Sequence, residues 1–163
     1  MIRMHYHQDE MLDLVNEQDE IIGVIKRSEA NTSHILRFVV VNVIDYSNKI
    51  LVGLKHNRKK ENIWSIVGSG HIRSGEEPHE GAKRELYEES EIQAETLVFF
   101  YRKFVVDQRG KGFVYFYNLH IDSKNIELPK NNEEFCKYKW IDMEITEDLS
   151  NTAKRSIEIL SSS

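Results

Sequence analysis

The sequence predicts a mixed α/β or α+β fold, with strands forming the body and helices packed outside them. Three observations predict it. Apolar runs rich in Val, Ile, Phe and Tyr recur on both sides of the chain's middle, residues 78–90 hold good helix formers without a β-branched residue, and a second helical pattern closes the sequence. At 163 residues with 40% hydrophobic content, the chain supplies one substantial core and too little material for two. We expect a single domain over residues 1–163.

In order along the chain, residues 11–15 and 21–25 are short apolar runs separated by the polar stretch 16–20, a hairpin signature. Residues 35–44 are dense in β-branched side chains and predict a strand buried on both faces. The polar segment 45–49 turns the chain, and 50–54 is expected to return as the antiparallel neighbour of that strand. A basic loop, 55–60, then leads into a strand at 63–67. Past the central helix, 96–106 and 112–121 are strand-like and joined near Arg109 and Gly110. A last strand at 135–141 precedes a helix over 151–160, with Ala153, Ile157 and Leu160 on one face.

The central helix carries the chemistry. Pro78 suits a first helical turn, and at about 100° per residue Ala82, Leu86 and Ser90 form a buried stripe. Glu85, Glu88 and Glu89, spaced i, i+3, i+4, share another face. Like charges at that spacing repel, and a divalent cation reverses the sign. Oxygen-only donors suit Mg²⁺ or Mn²⁺ better than Zn²⁺. The alternative is a solvated acidic face. Against it, residues 76–91 hold seven acids and two bases, so this segment alone carries a net charge equal to the −5 of the whole chain.

That balance, with no sustained basic tract, argues against nonspecific nucleic-acid or anionic-membrane binding. The single Cys136 excludes an internal disulfide. No apolar run approaches 18 residues and the start is charged and His-rich, so neither a membrane span nor a secretory leader is expected, and a cytoplasmic location is.

The stretch 70–92 resembles the Nudix box: Gly, five residues, Glu, seven residues, then Arg-Glu-apolar-any-Glu-Glu-any-Gly-apolar. Gly70, Glu76, Arg84, Glu85, Leu86, Glu88, Glu89 and Ile92 stand in register, and Glu91 replaces the last Gly. The resemblance implies a Nudix-type α/β/α sandwich with a mixed β-sheet. It implies a Mg²⁺-dependent hydrolase that cleaves the diphosphate bond of a nucleoside diphosphate linked to a further group. Glu85, Glu88 and Glu89 would hold the metal, with the Ser69 carbonyl as a further ligand and Glu76 behind them. Arg84 would orient the carboxylates, and Glu134 matches a family position near the metal and its water. For the remaining phosphates, the basic loop offers Lys55, Arg58, Lys59 and Lys60, with His71 beside the site. Solubilising loop charges are the alternative for those cations. Trp64, Tyr101 and Trp140 are candidates for stacking a base or for the core. The partner expected is a small-molecule diphosphate, with no nucleic acid or membrane, and a homodimer is compatible with the sequence.

Stretches 12–23, 27–30 and 64–71 resemble the branch of the superfamily that includes isopentenyl-diphosphate isomerase. That isomerase places a Cys before the Gly-His pair and a Glu on a later strand. Here Ser69 precedes Gly70 and His71, and residues 112–115 offer no carboxylate. His71 matches one metal-binding His of the isomerase, and His34 a second by a looser alignment. A Ser hydroxyl is far less acidic than a thiol and a poor proton carrier near neutral pH. Two alternatives to the hydrolase therefore stay open here: an isomerase-like enzyme, and a catalytically silent fold used as a ligand sensor, for which Glu91 is the support.

Overall fold

The computed structural model describes residues 10–56, 62–130 and 132–162. Its strands are β1 (Met11–Val15), β2 (Ile21–Lys26), β3 (Ile35–Asp45), β4 (Ile50–Lys55), β5 (Trp64–Ile66), β6 (Ser69–His71), β7 (Val98–Asp107), β8 (Gly110–Ile121) and β9 (Phe135–Ile141). Helix α1 (Pro78–Ser90) falls between β6 and β7, and α2 (Asn151–Ser161) ends the described chain. β1 and β2 form a separate hairpin; the other strands make one mixed sheet, ordered β5-β4-β3-β8-β7, with β6 added to β3 and β9 to β4.

β3 is the axis. It runs parallel to β8 from Ile35↔Lys111 to Asp45↔Ile121. Along it, successive side chains point to opposite faces. Val39, Val41 and Val43 pack with Leu51 and Val67 against Ala82 and Leu86 of α1. Val40 packs with Ile50, Ile66, Val114 and Phe116 against Leu149 and against Ala153 and Ile157 of α2. Both faces are covered, which makes an α/β/α sandwich and explains why β3 reads as one continuous apolar run. Each buried Leu or Ile here contributes roughly 1.5–3 kcal/mol relative to exposure, so the two helices are fixed chiefly by these stripes.

β4 is the expected antiparallel neighbour of β3, over a short ladder. β4 leaves the 45–49 turn antiparallel to β3 but pairs with it only at Ile44↔Ile50. Its long partners are β9 on one side and β5 on the other. The reason lies on the β3 edge: β6 occupies Phe38 to Val40, and the Val41 amide donates to the Gly68 carbonyl at 2.9 Å, so β4 must diverge. This insertion brings β6, and the loop after it, under α1.

The hairpin is anchored at both ends. Leu12 bridges to Arg73, and the Ser74 amide donates to the Met11 carbonyl at 2.7 Å. At the tip Asp19, with φ 62°, is almost wholly buried and accepts from Arg37 Nε at 2.7 Å, from Arg102 Nη1 at 3.2 Å and from the Tyr115 hydroxyl. Among the described residues, no helix is long and apolar enough to cross a membrane.

Candidate active site

The site is assembled where β6 delivers the chain to α1. Pro78 opens the helix, and the Glu77 amide donates to Glu80 Oε1 at 2.9 Å, a capping contact that satisfies an otherwise orphaned donor. The buried arc of α1 is wider than the apolar stripe alone: Gly81, Ala82, Glu85, Leu86, Glu89 and Ser90 are all inside. Glu85 and Glu89 thus face the β6 loop from within the protein, whereas the Glu88 side chain is 23% exposed.

Glu89 Oε1 accepts the amides of Gly68 at 2.8 Å and Ser69 at 3.2 Å. Glu85 lies directly over Gly70, where a Cβ would stand 1.9 Å from Glu85 Oε2; only a residue without a side chain leaves that carboxylate its place. Arg84 grips Glu76 by two bonds, Nε to Oε2 at 2.8 Å and Nη2 to Oε1 at 3.0 Å. Its Nη2 also donates to the His71 carbonyl at 3.0 Å, and its Nη1 to Glu85 Oε1 at 2.9 Å, with Glu88 Oε1 at 3.5 Å. The Arg73 amide completes Glu76 by donating to its Oε1 at 3.0 Å.

The electrostatics split the carboxylates. Burial pushes Glu85 up to about 8; the Arg84 charge opposes this and Glu88 adds to it. Burial pushes Glu89 well above the carboxylate range, reinforced by Glu85 and Glu134 and only partly offset by the two amides. Glu76 goes the other way: burial raises it, but the Arg84 hydrogen bond, the Arg73 amide and both guanidinium charges together hold it below its ordinary value. Glu76 is therefore held in its anionic form by two bonds from Arg84, while Glu85 receives a single bond from that guanidinium and Glu89 accepts only backbone amides. Their all-oxygen donor set fits a hard divalent cation. With Arg84 between Glu76, Glu85 and Glu88, no three His, Cys, Asp or Glu side chains among the described residues converge on one point as placed.

Of the remaining candidates, the His71 ring lies against Phe38 with centroids 4.6 Å apart. Glu134 is exposed; its amide donates to Asn132 Oδ1 at 2.9 Å, and its charge reaches Glu89. Lys55 ends β4, its amide bonded to the Ile63 carbonyl at 3.1 Å, next to the segment that carries Glu134. Arg58, Lys59 and Lys60 lie outside the described residues. Trp64 packs in the α2-side core under the Lys139 ammonium, 4.1 Å from its centroid, away from α1. Trp140 borders the α1-side core, and Tyr101 is 46% exposed on β7. His34 Nδ1 accepts the Asn31 amide at 3.0 Å within its own turn.

Four residues escaped the sequence reading. Asn132 Nδ2 donates to the Glu88 carbonyl at 2.9 Å, and the Tyr138 hydroxyl to the Glu89 carbonyl at 2.6 Å, so the end of α1 is held from β9 and the loop before it. Burial and the Glu89, Glu91 and Glu134 charges push Tyr138 up to about 12, which keeps it a donor. Arg73 and Glu10 form the third contact with the hairpin, at 2.8 Å. None of these follows from local spacing; the position of Arg73 inside the 70–76 loop is the only signal that singles one out.

Buried carboxylates of one helix set over a glycine-lined loop, one of them bonded to a clamped arginine, suit metal-assisted chemistry on phosphorus anhydrides. The chain belongs to the Nudix family: the NUDIX domain model matches residues 33–160. It is similar to an RNA pyrophosphohydrolase of Bartonella clarridgeiae, 30% identical over 131 residues that cover 65% of this chain and 75% of the relative. A Nudix hydrolase of Nostoc sp. is 34% identical over 84 residues, 49% of this chain and 50% of that one, so the match spans half the length of that relative. A crystal structure of DR0079 from Deinococcus radiodurans has the same fold, with TM-score 0.65, 23% identity and coverage of 82% and 84% of the two chains. The chain is a pyrophosphohydrolase, and enzymes of this family work with divalent cations.

Proposed function

We propose that the enzyme hydrolyses the diphosphate bond of a nucleoside diphosphate linked to a second group, with Mg²⁺ or Mn²⁺ held by Glu85, Glu88 and Glu89 and the Ser69 carbonyl. The observation that carries this reading is the pair of buried carboxylates, Glu85 and Glu89, set against the Gly68 to Gly70 loop with Arg84 as the one guanidinium bonded to Glu85 among the described residues. A bound divalent cation neutralises phosphate oxygens and makes an attacking water more acidic. The chain does the rest. Arg84, tied to Glu76 and the His71 carbonyl, holds Glu85 in place, and the loop amides fix Glu89. Glu134, exposed and within electrostatic reach of Glu89, takes the proton of the water that attacks phosphorus in line. Lys55 and His71 contact the remaining phosphates. The hairpin, although it precedes the matched residues 33–160, belongs to the same domain because it is bolted to the 72–74 loop.

A second substrate reading rests on the Bartonella relative: a pyrophosphorylated RNA end. Incubation of the purified chain with Mg²⁺ and a panel of ADP-ribose, nucleotide sugars, nucleoside diphosphates, isopentenyl diphosphate and a 5′-triphosphorylated RNA distinguishes these. Release of phosphate, or of a nucleoside monophosphate from the linked diphosphates, is expected, with a loss of about 100-fold or more in Glu88→Gln. A silent panel, dimethylallyl diphosphate as the product, or a wild-type rate in Glu88→Gln would each refute the hydrolase reading as stated.

A further inference from the structure

We propose that Arg73 is a substrate-phosphate ligand of this site, aimed by the buried Glu10 and parked on Glu88 when no cation is bound. The inference rests on the hydrolase reading above. Two guanidiniums approach Glu88, Arg84 Nη1 at 3.5 Å and Arg73 Nη2 at 3.8 Å, and they are not equivalent. The Arg84 side chain is 16% exposed, and all three of its nitrogens are committed to Glu76, the His71 carbonyl and Glu85. It cannot turn without dismantling the loop. The Arg73 side chain is 34% exposed, and Glu10 Oε1 holds only its Nε, at 2.8 Å. Its Nη2 lies 3.8 Å from Glu88 Oε2.

Glu10 is built to aim it. The Glu10 side chain is 6% exposed, its other oxygen takes Arg27 Nη1 at 3.4 Å, and its carbonyl takes the Arg27 amide at 2.8 Å. The Arg73 backbone is fixed as well, by its amide on Glu76 and by the bridge to Leu12. A guanidinium held by one edge presents the other as a planar fork, the geometry that matches a phosphate. A divalent cation held by Glu88 would put a second positive charge beside Arg73. The like charges repel until an anion enters between them, and a phosphate of the substrate is that anion.

Two consequences of opposite sign follow, one of them independent of turnover. Removing the Arg73 charge should tighten cation binding to the substrate-free protein and weaken diphosphate binding to the loaded one. Calorimetric titration of wild type, Arg73→Gln and Arg73→Lys with Mn²⁺, and then with α,β-methylene adenosine diphosphate at saturating Mn²⁺, reads both. For Arg73→Gln, the Mn²⁺ dissociation constant should fall about 3- to 10-fold and that of the analogue should rise at least about 10-fold. Arg73→Lys, which keeps a cation beside Glu10 and hence the hairpin contact, should retain the wild-type melting temperature and Mn²⁺ affinity and still bind the analogue several-fold more weakly. Unchanged or weaker Mn²⁺ binding in Arg73→Gln, or unchanged analogue binding in both variants, would reduce Arg73 to a hairpin tether and overturn the proposal. If wild type itself binds neither Mn²⁺ nor the analogue, the hydrolase reading fails, so the two failures are told apart.

Discussion

At the scale of single residues, the position that breaks the Nudix pattern is also the one whose consequence is easiest to isolate. Glu91 ends α1 at φ 60° and ψ 16°, and its amide donates to the Tyr87 carbonyl at 2.8 Å. The backbone adopts the left-handed cap for which the family uses Gly, and the side chain is exposed. The cost of Glu there is conformational, up to about 1 kcal/mol less the entropy a Gly returns to the unfolded chain. Glu91→Gly should raise the melting temperature slightly and leave turnover unchanged. A large gain in turnover without a change in melting would show instead that Glu91 displaces Glu88 and Glu89. Gly70 is the converse case, since Gly70→Ala puts a methyl group where the Glu85 carboxylate sits. Turnover and Mn²⁺ affinity should each fall about 10-fold or more, and thermal melting should move far less, because the carboxylate swings aside while the core stays packed.

At the scale of elements, the sequence made α1 legible and left its surroundings dark. The absence of β-branched residues, Pro78 at the start and the i, i+3, i+4 carboxylates all follow from local rules, and the helix runs over Pro78–Ser90. The different depths of Glu85, Glu88 and Glu89 were not legible, because depth is set by the β6 loop folding under the helix. For the same reason β4 could be expected as a strand but not its divergence from β3, which depends on β6 claiming the shared edge. The capping of the helix end is longer-range still: Tyr138 is separated from Glu89 by 49 residues. Its removal is a direct test of that contact. Tyr138→Phe leaves the Glu89 carbonyl without its donor and should cost about 1–2 kcal/mol in chemical denaturation, with a smaller loss of turnover from a looser Glu89. Equal stability of the two proteins would mean that water replaces the phenol at no cost.

At the scale of the whole molecule, stability and function meet in the charge that the fold buries. The two aliphatic faces of β3 hold α1 and α2 firmly enough to keep Glu85 and Glu89 out of water, and that confinement couples the fold to pH. Burial pushes the Glu85 carboxyl up to about 8 in the folded protein, from an ordinary value of 4.5 that the unfolded chain retains. The folded state therefore binds this proton more tightly than the unfolded state does. The resulting stabilisation is full below about pH 4.5 and is lost as pH rises through about 8. Glu89 is shifted in the same direction and adds to the loss. Without metal, the melting temperature should fall between pH 5 and pH 8.5, corresponding to a few kcal/mol at most. In the proposed site a cation would bind the deprotonated carboxylates, so stabilisation by millimolar Mg²⁺ should be small at pH 5.5 and grow steadily towards pH 8.5. Glu85→Gln removes one of the two shifted carboxyls and should make the metal-free profile shallower while shrinking the Mg²⁺ increment at high pH. Differential scanning calorimetry across that range, with and without Mg²⁺, checks all three. A metal-free melting temperature that holds steady from pH 5 to 8.5, or a Mg²⁺ increment independent of pH, would mean that these carboxylates are not the linked groups.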